Sequence, residues 1–282
     1  MFMLKYKSSA GEYVIGGGQH PIANVVAIDG FGLPPRTYET VEFAGENGVT
    51  EIGRKDGQRV LTISGTVRGD WREVQKIQRI FYEDGELFCW FDGLRRRIPC
   101  KLNKFDAPKK KHKSDLHSFV VQLSCDYPYF LGFITTSRSL FDRRNNIEFV
   151  NTQFTLPAIF TTRSSGGNAF NDGDKNVYPK IEIINLTGSD KTIILRNATT
   201  NVEVKFKSRM LKSNETLTFD FAERIITSSI DGDVTSKLDN ASANLSAFYL
   251  QRGKNVIVVD GVTDGQINAR IEFTPEYLSA TR

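Results

Sequence analysis

RVLTISGTVRGDWREVQKIQRIFYEDGELFCWFDGLRRRIPCKL, residues 59–102, reads as a strand, a helix and a two-stranded hairpin. It holds the one sustained helical periodicity in 282 residues. Arg59–Val67 alternates, placing Leu61, Ile63, Gly65 and Val67 on one face and Val60, Thr62, Ser64 and Thr66 on the other. The first face is the apolar one, so this strand covers a core on one side only. Asp70 stands where an N-cap belongs, with Glu73 three residues on as its capping-box partner. Val74, Ile77, Gln78 and Phe81 then follow at i, i+3, i+4 and i+7, the stripe of an amphipathic helix over about 70–83. Asp84-Gly85 ends it. Glu86–Phe91 and Arg96–Leu102 flank Asp92-Gly93, a strong hairpin signal. A lone helix between strands is expected to lie across one sheet and plug it.

Outward from this stretch, length and composition bound the rest. A chain of 282 residues suggests two domains, each able to bury its own core. Phe is abundant at 20 residues and Met scarce at 3, which suits sheets better than helical bundles. Hydrophobic residues at 39% and charged residues at 25% are the balance of a water-soluble protein. The net charge of +4 is spread evenly, so neither half reads as a nucleic-acid or membrane surface. The N-terminus has four apolar residues and then charges, not the pattern of a signal peptide, and no apolar run is long enough to span a bilayer.

In chain order, Leu4–Tyr6 and Tyr13–Ile15 form a first short hairpin, and Gly16-Gly17-Gly18 is a flexible connection to a strand at Ala23–Asp29. Three glycines cradle a phosphate only with a helix N-terminus directly behind them, and here Gln19-His20-Pro21 and a strand follow. Tyr38–Phe43 and Val49–Arg54 form a hairpin with a glycine-rich tip, Ala44–Gly48. It exposes Phe43, Val49 and Ile52 with little local sequence to cover them, so a neighbouring subunit is the expected cover. Asp106–His117 carries a lysine run, Lys109–Lys113, read as a solvated hairpin loop, with a phosphate-binding or acidic-partner patch as the functional alternative. His117–Cys125 is a strand with Phe119, Val121, Leu123 and Cys125 inward, running into Asp126-Tyr127-Pro128-Tyr129-Phe130.

Cys89, Cys100 and Cys125 are too few and scattered for a disulfide framework and read as free, packed thiols; whether Cys89 and Cys100 pair across their hairpin is left open. Five N-x-S/T matches, at Asn185, Asn197, Asn214, Asn240 and Asn244, read as strand and turn residues. Thr161–Asp174 is the most linker-like part, with strands at Ile147–Phe149 and Thr155–Phe160 before it. From Pro179 on, short strands recur: Lys180–Asn185, Thr192–Arg196, Val202–Lys207, Thr216–Phe221, Ile225–Ser228, Leu245–Leu250, Val256–Asp260 and Ala269–Thr274. That is the pattern of a β-sandwich or jelly roll.

The order of these elements resembles the distal tail protein family (Dit), the siphovirus tail component of bacteriophages. The residues that carry the resemblance are the Phe43–Ile52 hairpin, the strand RVLTISGTV, the helix ending in Tyr82-Glu83-Asp84-Gly85, the Phe88–Ile98 hairpin and the Cys125–Phe130 exit. Asn171-Asp172-Gly173-Asp174 with Tyr178-Pro179 and Lys180–Leu186, and Phe248-Tyr249-Leu250 with Arg252-Gly253-Lys254-Asn255 and Val256–Val259, continue it. Each motif alone is strand and turn grammar; their joint order and spacing carry the match. The resemblance implies a mainly β, two-domain chain: a ring-forming, sandwich- or barrel-like N-terminal domain over 1–135 with one packed α-helix, and a galectin-like β-sandwich within 136–282. It implies a homohexameric ring at the virion tail tip, assembled in the host bacterial cytoplasm. The ring would join the tail tube protein to the tail-associated hub protein and offer a platform for receptor-binding proteins. DNA would pass through without specific binding, so Lys109–Lys113 are expected to point away from the ring axis.

Chemistry for an enzyme is not apparent. A Ser or Cys nucleophile needs a His base, and His20, His112 and His117 come with no nucleophile elbow. His112 and His117 lack the spacing of zinc ligands with any Cys. Asp172/Asp174 and Asp231/Asp233 read as turn caps rather than glycosidase or calcium acids. Trp71, Trp90 and Tyr249 could stack on sugars, and packing is the expected fate of both tryptophans. No catalytic, cofactor or metal residues are assigned, and the subunit interface is placed on Phe43, Val49 and Ile52. The alternative is a carbohydrate-binding module of a phage tail or baseplate recognising host cell-wall polysaccharide.

Overall fold

The computed structural model describes residues 2–18, 21–45, 47–108, 115–140, 166–239, 244–262 and 265–281. The chain divides into two compact units, Met1–Phe133 with Glu276–Arg282, and Ile134–Pro275. Glu276–Arg282, expected in the second domain, thus group with the first unit, where Leu278 O accepts from Arg59 and the Ala280 N–H donates to Phe31 O at 3.0 Å.

In the first unit, β1 (Phe2–Ser8), β2 (Gly11–Gly16), β3 (Ala23–Asp29), β4 (Arg36–Val41), β5 (Thr50–Asp56) and β6 (Arg59–Arg68) precede the helix α1 (Trp71–Tyr82). After it come β7 (Gly85–Phe91), β8 (Leu94–Asp106), β9 (Leu116–Cys125) and β10 (Phe130–Gly132). The main sheet runs β2-β1-β7-β8-β9-β6-β3, and its end strands β2 and β3 approach each other, so it curls toward a barrel. Inside the curl lies α1, against β1, β2, β6 and β8. Asp70 caps it, its carboxylate accepting the Arg72 N–H at 2.9 Å. Val74, Ile77, Ile80 and Phe81 are the buried stripe; Ile80, not Gln78, fills the fourth place. Four buried apolar side chains contribute roughly 6–12 kcal/mol of gross burial. The last turn is tied to β1: Tyr6 stacks on Phe81 and donates to Glu83 O at 2.6 Å, and Ser8 Oγ donates to Ile80 O at 2.7 Å. These side chains satisfy carbonyls that a helix end leaves open.

The Asp92-Gly93 turn has positive φ at both residues, 47° and 91°, as a tight hairpin of right-handed twist requires. Its register pairs Cys89 with Arg96 and Cys100 with Gly85, so Cys89 and Cys100 are not opposite each other. All three cysteines are free and buried. On β9, Phe119, Val121, Leu123 and Cys125 face inward as the alternation predicts.

The second unit begins with β11 (Thr136–Ser139) and β12 (Gly166–Asn171). It continues through β13 (Lys180–Asn185), β14 (Ile194–Asn197), β15 (Val202–Lys205), β16 (Thr216–Asp220), β17 (Ile225–Ser228), β18 (Gly232–Asp233), β19 (Gly253–Asp260) and β20 (Ile267–Phe273). One sheet is β11-β20-β13-β16-β17-β18, the other β12-β19-β14-β15, and one core cluster draws side chains from both. Ile181, Ile183, Phe219 and Ile271 come from the first, Leu195, Val204, Ile257 and Val259 from the second. This is a β-sandwich. Asn185 and Asn197 are fully buried at strand ends, their side-chain oxygens accepting the Thr187 and Thr199 N–H groups, each at 3.0 Å. Those two N-x-T matches are Asx turns.

Two expectations change here. Gly166–Asn171, read as linker, is a strand paired along β19. A Cβ on Gly167 would sit 2.7 Å from Leu140 O, so glycine there marks a close backbone approach rather than a loop. Leu245–Leu250, read as a strand, holds a 3₁₀ turn at Leu245–Ala247, and Leu250 then bridges to Val177. Leu245 and Phe248, three apart, fall on one side of a three-residue turn, and both are buried. The expected strands Ile147–Phe149 and Thr155–Phe160, His20, His112 and the lysines Lys109–Lys113 lie outside the described residues.

A short strand, β21 (Glu276–Tyr277), ends the chain by pairing with β10, which itself pairs with β8. In chain order the second unit is thus an insertion between β10 and β21, which pair with each other in the first unit.

Candidate assembly surface

The β4–β5 hairpin forms a two-stranded sheet of its own, apart from the curled sheet. Strands of this length extend roughly 20 Å. Nearly every position along both strands is exposed. An isolated two-stranded ribbon is marginal in water at best. The three residues singled out from sequence are all accessible: Phe43 is 53% exposed, Val49 58% and Ile52 64%. Phe43 and Val49 flank the tip. Ile52 is the extra residue of a β-bulge, where Glu39 pairs with Gly53 and Thr40 with Glu51. Bulges re-aim side chains and blunt edge pairing. Tyr38, also exposed, was missed in the sequence reading, because a Tyr between Thr and Glu carries no amphipathic signal.

The hairpin's base is clamped at Asp56. Arg36 Nε donates to Asp56 Oδ1 at 2.8 Å and Tyr129 OH donates to Oδ2 at 2.6 Å. Gly57 N–H donates to Pro35 O at 2.7 Å, closing the stem. Burial, and then the bond to the Asp56 carboxylate, push the Tyr129 phenol up to about 12. Asp56 holds the Arg36 guanidinium above its ordinary value. Tyr127 packs edge-on against Tyr129 at 5.3 Å, its phenol pushed up by burial and by Glu276. The aromatic exit from β9 therefore anchors both the projecting hairpin and the C-terminal strand.

Behind this clamp lies a residue that strand alternation alone could not single out. Arg59 is 1% exposed, and among the described residues its guanidinium donates to backbone carbonyls alone: Pro128 O at 2.8 Å, Gly30 O at 2.6 Å, Gly32 O at 2.7 Å and Leu278 O at 2.7 Å. It also lies over the Phe130 ring, 4.8 Å from its centroid. Burial pushes its pKa down from the ordinary value, opposed by Cys125 and Asp56. Gly30 is at φ +82°, and a Cβ there would lie 2.0 Å from Val60 O, so only glycine lets that turn offer its carbonyl. Arg96 treats the C-terminus similarly, stacking on Tyr277 at 3.9 Å and donating to Ser279 O.

The other sequence candidates stay dispersed. His117 is buried edge-on to Trp71 at 5.5 Å, and Trp90 packs against Phe133 at 5.6 Å. Asp233 caps the Thr235 N–H at 2.9 Å, whereas Asp231 is ion-paired rather than a cap. Among the described residues no three His, Cys, Asp or Glu side chains gather as a metal set, and no helix is long and apolar enough to cross a membrane.

The geometry defines a β-rich, two-unit chain with a helix-plugged curled sheet, a projecting hairpin and an inserted β-sandwich. No family model matches it, and no curated protein sequence is significantly similar to it. Among solved structures, the Dit protein (gp 19.1) of phage SPP1 aligns with TM-score 0.64 over 99% of this chain and 100% of that one, at 12% identity. That protein is described as a paradigm of the hub adsorption apparatus in phages infecting Gram-positive bacteria. The phage P2 baseplate, in its activated conformation with calcium, aligns at TM-score 0.44 and 10% identity over 97% of both chains. The same baseplate with strontium aligns at 0.42 and 10% over the same shares. The chain has the fold of the SPP1 Dit protein from end to end.

Proposed function

We propose that this chain is a structural, non-enzymatic distal tail protein of a phage, forming a hexameric ring at the end of the tail tube. The observation that carries the reading is the end-to-end likeness to the SPP1 Dit protein. The first unit closes the ring, and the second stands as a platform for adsorption proteins. One face of the ring meets the tail tube protein and the other the tail hub protein, with DNA passing through. The ring sits at the virion tail tip and is assembled in the host cytoplasm. Ring closure needs a heterologous interface, one patch on each subunit meeting a different patch on the next. Phe43, Val49 and Ile52 supply one patch, since a ribbon this exposed gains stability only by packing on something.

Light scattering with negative-stain imaging of the purified chain tests this. A ring has a mass of about 190 kDa, six times the chain's 31.7 kDa. A chain that stays monomeric at high concentration, and with tube and hub proteins added, refutes the ring; dilution alone does not, because weak rings dissociate by mass action.

A further inference from the structure

The second unit holds a cleft of about 550 Å³, lined among others by Lys207, Arg209, Lys212, Asp231 and Lys237. That volume falls in the range of small-ligand sites. Its floor is built rather than incidental. The Arg209 side chain is only 6% exposed; it donates to Glu215, which is itself fully buried, and to Asp231 Oδ2 at 3.1 Å. Glu215 is held in turn by Ser228 Oγ and by the Lys212 N–H at 2.7 Å. Yet the buried Nε of Arg209 has no hydrogen-bond acceptor among the described residues. An unfilled donor on a nearly buried guanidinium is a cost that native structures rarely leave uncompensated.

The carboxylates of the cleft are already engaged. Asp231 faces Lys212 at 2.8 Å, Arg209 at 3.1 Å and Lys237 at 3.8 Å, and Asp190 accepts the Ser213 N–H at 3.2 Å. Hydrogen bonding to Lys212 holds the Asp231 carboxyl below its ordinary value, so it stays ionised and saturated. A metal cation would have to displace three cationic side chains. The positive charge is the part left over: Lys207 has no ion-pair partner among the described residues, and Lys237 reaches Asp231 only at 3.8 Å. Both ammonium groups sit on exposed residues beside the cleft.

We propose that this cleft binds an anionic group, a phosphate or carboxylate of a small or polymeric ligand, between Lys207 and Lys237 above the Arg209 floor. An oxyanion bridging two ammonium groups makes charge-assisted bonds, and the guanidinium beneath adds a third positive group. The inference does not rest on ring formation, and the readout below is independent of native mass.

The test uses the full chain at constant ionic strength, observing ³¹P line broadening of inorganic phosphate and of glycerol phosphate, with glucuronate as the carboxylate competitor. Broadening in the wild type is expected, with binding roughly tenfold weaker in Lys207→Glu/Lys237→Glu. The double variant Lys180→Glu/Lys254→Glu makes the same charge change on exposed lysines of the same unit that do not line the cleft. Its binding is expected to equal the wild type's. Displacement by glucuronate would show that the site takes carboxylates as well as phosphates; broadening that glucuronate leaves intact would assign it to phosphates. No broadening by either phosphate probe, or equal loss in both double variants, overturns the site.

Discussion

Arg59→Met tests the Arg59 cluster in a form that isolates one unit. The guanidinium spans three chain segments through four carbonyl acceptors, at Gly30, Gly32, Pro128 and Leu278. Hydrogen bonds to charged groups contribute about 1.5–3 kcal/mol each, so their gross loss is roughly 6–12 kcal/mol. Against this stands relief of the desolvation penalty, several kcal/mol for a buried ion, since methionine places an apolar chain in the same space. The difference leaves about 3–5 kcal/mol of destabilisation, the usual result of breaking a buried charged network from one side. Both tryptophans of the chain, Trp71 and Trp90, lie in the first unit. Tryptophan fluorescence in urea therefore reads the first unit alone, while total circular dichroism also follows the second. The expected result is an early fluorescence transition, with Arg59→Lys less destabilised because the charge survives without the planar fork. A fluorescence midpoint within about 0.5 kcal/mol of wild type, the scatter of ordinary surface substitutions, would refute the keystone role.

The C-terminal strand should matter to the first unit although it is remote in sequence. Ending the chain after Pro275 removes the Leu278 and Ser279 acceptors of Arg59 and Arg96 and the buried Ala280, and the tryptophan-reported transition should fall while the sandwich stays folded. An unchanged fluorescence midpoint would refute the closure. Val49→Asp with Ile52→Asp should give a folded monomer; an intact ring of that double variant would clear the hairpin of the interface. For Tyr129, whose phenol is raised to about 12, the stabilising neutral form is fully present below the unfolded value near 10 and is lost as pH rises through 12. The tryptophan-reported urea midpoint of the first unit should fall further across that window in the wild type than in Tyr129→Phe, since Tyr13 and Tyr127, also raised by burial, are common to both; equal falls in the two proteins would show that Tyr129 carries none of the pH dependence.

Residues 59–102 determined their own local structure because the signals there are short-range. Alternation, an Asp cap, a 3.6-residue stripe and an Asp-Gly turn each act within a few residues, and strand, helix and hairpin formed where they predicted. The exposure of Phe43, Val49 and Ile52 was legible for the same reason, since nothing adjacent in the chain could cover them. Where a residue's role depends on chain far away, the sequence was silent. Arg59 looked like one more member of an alternating strand, and only tertiary structure brings Gly30, Pro128 and Leu278 around it, from as far as 219 positions away. Gly167 reads as linker until Leu140 presses against it, and Ile80 rather than Gln78 joins the buried stripe where β2, at Gly11, lies over its side chain. The return of Glu276–Tyr277 to β10 had no local marker, because a two-residue strand has no period to read. The sequence set what each segment could become; long-range hydrogen bonding and burial decided which segments had to meet.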